Sequence, residues 1–173
     1  MMKKFLSAGG ASAVSAIALI SILAVPSSYA AEEIPVVASA DASESGWGES
    51  TIDVNKLEVS EAGGYATLTY TVHYEGEGRV GLLDFQNTTY LYTAYGHSGV
   101  VLVDEENGFR YNPAFDSTGQ CMCAINTASP EMARDLDSGD SATYWASYLI
   151  SEDTTSVNVE VPGFEPVADI PIE

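Results

Sequence analysis

The clearest pattern in the chain is a strict alternation of side-chain type between residues 65 and 74. A period of two residues is typical of a β-strand, and valine, tyrosine and threonine all favour strands. One side of this segment is therefore expected in the core and the other in solvent. The first side carries Ala66, Leu68, Tyr70, Val72 and Tyr74, and the second carries Tyr65, Thr67, Thr69, Thr71 and His73.

Shorter runs of the same kind recur along the chain, including residues 80–85, 121–125, 142–150 and 157–161. Turn residues such as Asn107-Gly108 separate them, and no helical period extends beyond about two turns. Many short strands with turns between them are typical of an antiparallel sandwich. The pattern predicts an all-β fold, namely a single antiparallel β-sandwich of seven or eight strands over residues 51–173.

The N-terminal residues have the order of an export signal. Lys3 and Lys4 precede an uncharged, mostly apolar stretch at residues 11–25, and Ser28-Tyr29-Ala30 has the small residues that a signal peptidase requires. The apolar stretch is short for a membrane span. We therefore expect residues 1–30 to be a signal peptide, and the mature protein to be secreted or extracellular and associated with the cell envelope, with no membrane span after cleavage.

Residues 31–50 are small, acidic and serine-rich. Such a composition buries too little apolar surface to offset the entropy of ordering the chain. We expect a disordered acidic spacer here. Trp47 is either the first contact of the chain with the fold or a solvated aromatic residue.

The chain is strongly acidic. It contains 25 Asp and Glu against 6 Lys and Arg, for a net charge of −19. Without a cluster of basic residues it lacks the electrostatic source of nucleic-acid binding. An anionic membrane surface would repel it. High charge also keeps an exported protein soluble, and this explanation is favoured over a dedicated role in binding cations.

Several motifs of the second half resemble a secreted immunoglobulin-like domain of Gram-positive bacteria, which occurs alone or ahead of an OmpA-like domain. They include Val101-Leu102-Val103-Asp104, Gly119-Gln120-Cys121-Met122-Cys123 and Val161-Pro162-Gly163-Phe164. The resemblance covers residues 65–172 and implies that the predicted antiparallel β-sandwich is immunoglobulin-like and extracytoplasmic. It supplies no catalytic residues, and the peptidoglycan binding of the OmpA-like domain is not expected here.

Cys121 and Cys123 are the only cysteines, and a pair in an exported protein suggests a disulfide. Residues i and i+2 of an ideal strand are about 6.6–6.8 Å apart. The Cβ atoms of a disulfide are only about 3.5–4.5 Å apart. A bond would therefore force a bulge or tight turn. A local clip is favoured over redox exchange or binding of a soft ion such as Cu(I), because no basic neighbour is visible to activate a thiol.

Other candidates for chemistry are weaker. His73 and His97 are read as surface imidazoles, so no metal site and no cofactor are predicted. Asp135, Asp137 and Asp140 resemble part of a calcium loop but lack its Gly and Glu positions, and a turn explains them; weak calcium binding stays open. Residues 96–100, around His97 and Ser98, lack the final glycine of a nucleophile elbow.

Tyr90, Tyr92 and Tyr95 lie in a polar segment rich in tyrosine. Because tyrosine supplies rigid amphipathic area, these residues are either a contact surface or strand packing, and we predict them as binding residues.

The leading prediction is a secreted, non-enzymatic module that contacts a protein or cell-envelope partner. The alternative is an extracytoplasmic thiol-redox or soft-metal-binding protein that uses Cys121 and Cys123. An envelope hydrolase, with carboxylates converging in a cleft, is a third hypothesis.

Overall fold

The computed structural model describes residues 34–87, 96–124 and 135–173 of the 173-residue chain. This described part contains ten strands, two 3-10 turns (Ser45–Trp47 and Leu82–Phe85) and no α-helix. The strands are β1 (Ala38–Asp41), β2 (Thr51–Val59), β3 (Tyr65–His73), β4 (Arg79–Gly81), β5 (Val101–Asp104), β6 (Phe109–Tyr111), β7 (Asp135–Asp137), β8 (Ser141–Leu149), β9 (Ser156–Glu160) and β10 (Val167–Pro171). The predicted all-β class is confirmed.

The first sheet has the order β1-β2-β3-β8, and all of its pairs are antiparallel. Strand β3 is central and pairs with β8 in unbroken register from Tyr65 opposite Leu149 to His73 opposite Ser141. A bulge at Asn55 interrupts the pairing of β2 with β3. The long β3–β8 ladder fixes which side chains are neighbours across the outer face of this sheet.

The second sheet has the order β10-β9-β5-β6, and it is also antiparallel. Strands β4 and β7 form a separate two-stranded ribbon. The pairing of β9 with β10 is irregular between Val167 and Ile170, where Asp169 has a positive φ of 56°. Asp169 donates its backbone N–H to the Asn158 side chain, which holds this irregular segment against β9.

One apolar core joins the two sheets. Leu68, Tyr70 and Val72 from β3 are fully buried in the same cluster as Leu102 from β5 and Val159 from β9. The alternation in the sequence thus places one side of each long strand in the core. Burial of this shared apolar surface is the main favourable term that holds the sheets together.

The expectation of a disordered spacer at residues 31–50 is wrong for the part that the structure describes. Ala38–Asp41 pairs with β2, so backbone hydrogen bonding orders a sequence whose composition predicted disorder. Trp47 is 8% exposed and contacts the rings of Tyr74, Phe85 and Phe164. Of the two interpretations of Trp47, contact with the fold is confirmed.

Gly163 shows how closely the chain fits around Trp47. Its φ is +89°, and a Cβ atom built there would lie 2.3 Å from Nε1 of Trp47. Glycine is the residue that tolerates both the left-handed backbone and this approach. The Pro162-Gly163 turn is therefore a packing element of the core as well as a chain reversal.

Three further expectations need correction. The strand predicted at residues 80–85 is a strand only over Arg79–Gly81 and then a 3-10 turn, Leu82–Phe85. Of the strand predicted at residues 121–125, the described part, residues 121–124, forms isolated bridges at Cys121 and Cys123. Ten strands replace the expected seven or eight within the described part, because β1 and the short β4–β7 ribbon carry little sequence signal.

Candidate binding face on the first sheet

The outer face of the first sheet is lined mainly by short hydroxyl side chains. Alternation within β2, β3 and β8 turns one side chain in two away from the core. We call this surface the hydroxyl face. Its members are Asp53, Lys56, Glu58, Thr67, Thr69, Thr71, His73, Ser141, Thr143, Trp145 and Ser147, with Tyr65 and Leu149 at one end.

Cross-strand pairs link the hydroxyls of this face. Thr67 Oγ1 lies 2.9 Å from Ser147 Oγ, and Thr71 Oγ1 lies 2.8 Å from Thr143 Oγ1. Thr71 also donates to the Asn55 side-chain oxygen at 2.8 Å. Because a hydroxyl has one proton, Thr143 must be the donor to Thr71. The direction of the hydrogen bonds therefore runs from Thr143 through Thr71 to Asn55.

A second network joins all four strands of this sheet, at the end of the face away from Tyr65 and Leu149. His73 Nε2 lies 2.9 Å from Asp53 Oδ2, and His73 Nδ1 lies 2.7 Å from Ser141 Oγ. Ser39 donates to the other oxygen of Asp53 at 2.5 Å. An ionised carboxylate only accepts, so Nε2 carries a proton. With neutral imidazole, Ser141 then donates to Nδ1.

This network has the residue types of a Ser-His-Asp relay. Its origin is the strand register, since Ser141 lies directly opposite His73 in an ordinary antiparallel pair. A relay serine is normally presented on a strained turn beside oxyanion donors, whereas Ser141 is the first residue of β8 on an open face. The arrangement is better suited to hydrogen bonding with a ligand than to acyl transfer.

Charges on the hydroxyl face are compensated locally. Lys56 forms an ion pair with Glu58, and Asp53 accepts from His73 and Ser39. With neutral His73, the formal charge of the face is −1, because Asp53 and Glu58 face Lys56 alone. The whole chain carries −19. The face is therefore nearly neutral on a strongly acidic protein.

His97 is not a surface residue, and the prediction that it was is wrong. It is 0% exposed, and its ring lies between Phe85 at 4.5 Å and Tyr144 at 4.0 Å, measured between ring centroids. Nδ1 forms a short hydrogen bond with the Tyr70 hydroxyl, while Nε2 is buried without a partner among the described residues. Burial lowers the pKa of His97 to about 3, so the ring is neutral at physiological pH.

The phenols beside His97 respond to the same burial. Desolvation raises the pKa of Tyr70 well above its ordinary value. It also raises the pKa of Tyr144 to about 12. Both groups therefore stay neutral, and the cluster of Tyr70, Phe85, His97 and Tyr144 is an uncharged part of the core.

Cys121 and Cys123 are bonded to each other, with their Cα atoms 5.2 Å apart. The chain bends at Met122 between two isolated bridges, which confirms that a bond between these residues requires a departure from strand geometry. Both cysteines are buried, at 5% and 1% exposure. In this bonded form neither sulfur is the thiolate needed for exchange or for a soft metal ion.

Of the three aspartates, Asp135 and Asp137 belong to strand β7, and a turn at Ser138 and Gly139 leads from that strand to Asp140. Asp137 accepts two hydrogen bonds from Arg79 at 2.9 Å, and these lower the pKa of the Asp137 carboxyl. Asp140 accepts from the Asp137 backbone N–H at 2.9 Å. Within residues 34–87, 96–124 and 135–173, no three His, Cys, Asp or Glu side chains converge as metal ligands would. The backbone N–H of Asp140 donates to the Asp137 carbonyl at 2.9 Å, which supports the turn interpretation for residues 137–140.

Tyr90, Tyr92 and Tyr95 lie outside the described residues, so their role as binding residues stays a prediction.

Ser98 is 2% exposed, and its hydroxyl accepts from the backbone N–H of Asn87. This burial removes it as a nucleophile at the protein surface.

Comparison with known proteins does not assign the chain to a family. It matches no protein-family model, no curated protein and no solved structure. In the part of the chain that the structure describes, no helix is long and apolar enough to cross a membrane. The resemblance to a secreted immunoglobulin-like domain therefore stays a prediction.

Sequence reasoning missed the network of Asp53, His73 and Ser141. These residues are separated by 20 and 68 positions in the chain, and no local motif links them. The available signal was the alternation of residues 65–74, which placed His73 on the same face as three threonines. Only the register of β2 and β8 with β3 identifies the partners.

Proposed function

We propose that this chain is a secreted, non-enzymatic module with an immunoglobulin-like β-sandwich, and that it binds a cell-envelope partner through the hydroxyl face. The observation that carries the proposal is the ordered, solvent-facing array of hydroxyl, imidazole and tryptophan side chains on β3 and β8. A face that served only for solubility would need charges, and this face has almost none unpaired.

Three further features support the proposal. Two antiparallel sheets of four strands each close on one core, as in immunoglobulin-like sandwiches. The leader pattern at residues 1–30 favours export. The bonded pair Cys121 and Cys123 suits an oxidising compartment outside the cytoplasm.

The test is co-sedimentation of the mature chain, residues 31–173, with purified Gram-positive cell-wall fragments. Thr143→Arg places a long cation in the middle of the hydroxyl face and should weaken binding by about tenfold or more, the loss of one central contact. Ser156→Arg makes the same change in charge at an exposed position of β9 on the other sheet and should leave binding unchanged. Equal loss in both variants, or no sedimentation of the wild type, would contradict the proposal.

The non-enzymatic part has its own test, a fluorophosphonate probe that labels activated serines. We expect no labelling of Ser141, since His73 and Ser141 lie on an open face. Labelling that disappears in His73→Ala would instead show a functional relay and overturn this part of the proposal.

A further inference from the structure

We infer that the ligand of the hydroxyl face is an uncharged polysaccharide, with Trp145 as the ring on which a sugar stacks. This inference rests on the proposed function and adds the chemical class of the ligand. It combines three observations, namely the placement of the aromatic rings, the free hydrogen-bonding capacity of the hydroxyls and the local neutrality of the face.

The aromatic residues of the face are spaced along its length. Trp145 lies opposite Thr69 and is partly exposed. Tyr65 and Leu149 face each other at the end of the ladder and are 41% and 62% exposed. Two same-face steps separate the pair of Trp145 from the pair of Tyr65, which is about 13 Å along the strands. One sugar ring cannot span that distance, but an oligosaccharide can.

Trp and Tyr suit a sugar because each combines an apolar ring with a polar tip. A pyranose presents a face of C–H groups and a rim of hydroxyls. Trp145 can pack against the C–H face while neighbouring Thr143 and Thr69 meet the rim. Stacking itself does not depend on the charge of the ligand, so the charges of the face must decide between a neutral and a charged polymer.

The hydroxyl network leaves acceptor sites for a ligand. Thr143 uses its proton in the bond to Thr71, so both of its lone pairs remain on an exposed side chain. Ser141 keeps lone pairs in the same way while it donates to His73. Sugar hydroxyls both donate and accept, and they can fill these sites without bringing in charge.

Charge on the face argues against an ionic ligand. An acidic polymer would approach a protein of net charge −19 and find no unpaired cation on this face. A basic polymer would find Glu58 already paired with Lys56, and Asp53 already accepting hydrogen bonds from His73 and Ser39. A neutral polysaccharide avoids the repulsion and does not compete for these partners.

A protein partner fits the face less well. The centres of protein interfaces are enriched in aromatic residues, methionine and arginine, with polar residues at the rim. Here the centre of the face consists of Thr69, Thr71 and Thr143 with Trp145 as its one aromatic ring, and the face carries no methionine or arginine. Tyr65 and Leu149 lie at one end.

The experiment is affinity electrophoresis of residues 31–173 through gels that contain a soluble β-1,4-glucan, a β-1,3-glucan, a galactomannan or an anionic polygalacturonate. We expect at least one neutral polymer to retard the protein and polygalacturonate not to retard it. Trp145→Ala should reduce the affinity by about tenfold or more, which corresponds to one lost stacking contact. Trp145→Tyr should retain most of the retardation because it keeps an aromatic ring.

Phe109→Ala is the matched control, because Phe109 is a 49% exposed aromatic residue of β6 in the other sheet. Thr143→Arg should also abolish retardation, which covers the case in which Trp145→Ala fails to fold. Circular dichroism of each variant identifies such a case directly.

The outcomes separate this inference from the proposed function. If wall fragments bind the protein but no neutral polymer retards it, the polysaccharide inference is wrong and the binding face stands. If protease treatment of the walls removes their binding, the partner is a protein and the inference is again overturned. If the walls themselves do not bind, the proposed function fails first.

Discussion

His73 and His97 carry the same side chain in opposite environments. His73 lies on the hydroxyl face between a carboxylate and a serine, and 40% of its side chain is exposed. His97 lies in the core between Phe85 and Tyr144, and Tyr70 is the one hydrogen-bond partner of its side chain among the described residues. A hydrogen-bonded histidine therefore belongs to an exposed sheet face in one case and to the packed core in the other.

The two regions also differ in the surroundings of the histidine ring. At His73, the ring is partly exposed and its Nε2 lies 2.9 Å from Oδ2 of Asp53. At His97, burial in apolar surroundings disfavours the charged form and no carboxylate compensates for it. The stability of the core around His97 should consequently depend on pH and on side-chain volume, whereas truncations on the hydroxyl face should change stability little.

The largest difference is expected from truncations of neighbouring residues on β3. Leu68→Ala removes a fully buried side chain and should lower the free energy of unfolding by about 2–5 kcal/mol. Thr69→Ala, on the hydroxyl face, should change it by about 0.5 kcal/mol or less. Urea titration of both variants measures the difference. Equal losses would show that the two faces are not distinct in packing.

A smaller effect on stability, specific to His97, is expected when the pH is lowered. Above pH 6.5, His97 is neutral in both the folded and the unfolded chain. Below pH 6.5 the unfolded chain binds a proton at His97, whereas the folded chain binds it only near pH 3. Stability therefore falls as the pH falls. At pH 4 this loss amounts to about 3 kcal/mol.

The variant His97→Phe isolates the contribution of His97 to this pH dependence, because the carboxylates titrate in both the variant and the wild type. Its free energy of unfolding should depend less on pH between 6.5 and 4 than that of the wild type, by about the same 3 kcal/mol. The double variant Tyr70→Phe and His97→Phe controls for the lost hydrogen bond at Tyr70. Identical pH profiles in the wild type and both variants would refute the buried, neutral state of His97.

The smallest effect is expected at His73. His73→Ala and Ser141→Ala break exposed contacts, and exposed ion pairs contribute about 0–1 kcal/mol. Both variants should therefore unfold within about 1 kcal/mol of the wild type in urea titrations. A loss as large as that of Leu68→Ala would make the network structural and would weaken its assignment to a binding face.

Prediction from sequence succeeded where the residues of one short segment are enough to determine its structure. The alternation at residues 65–74 identified β3 and its buried side, because side-chain direction follows directly from a period of two. The geometry of the Cys121 and Cys123 pair was predictable for a similar reason, since the reach of a disulfide is known.

Prediction failed where the outcome depends on distant residues. Strand β1 is ordered because β2 supplies its hydrogen-bond partners, although composition favoured disorder. Trp47 is buried because Tyr74, Phe85 and Phe164 converge on it from other parts of the chain. Neither result has a local signal, because each depends on contacts between segments that are separated in sequence.

By itself, the sequence determined the β class, the inner and outer sides of the long strands and the bent backbone that a Cys-x-Cys bond requires. These properties depend on local geometry. Tertiary structure alone decided that Asp53, His73 and Ser141 meet, and that His97 is enclosed while His73 is not. Register and packing set those positions, and both are properties of pairs of strands that one segment cannot specify.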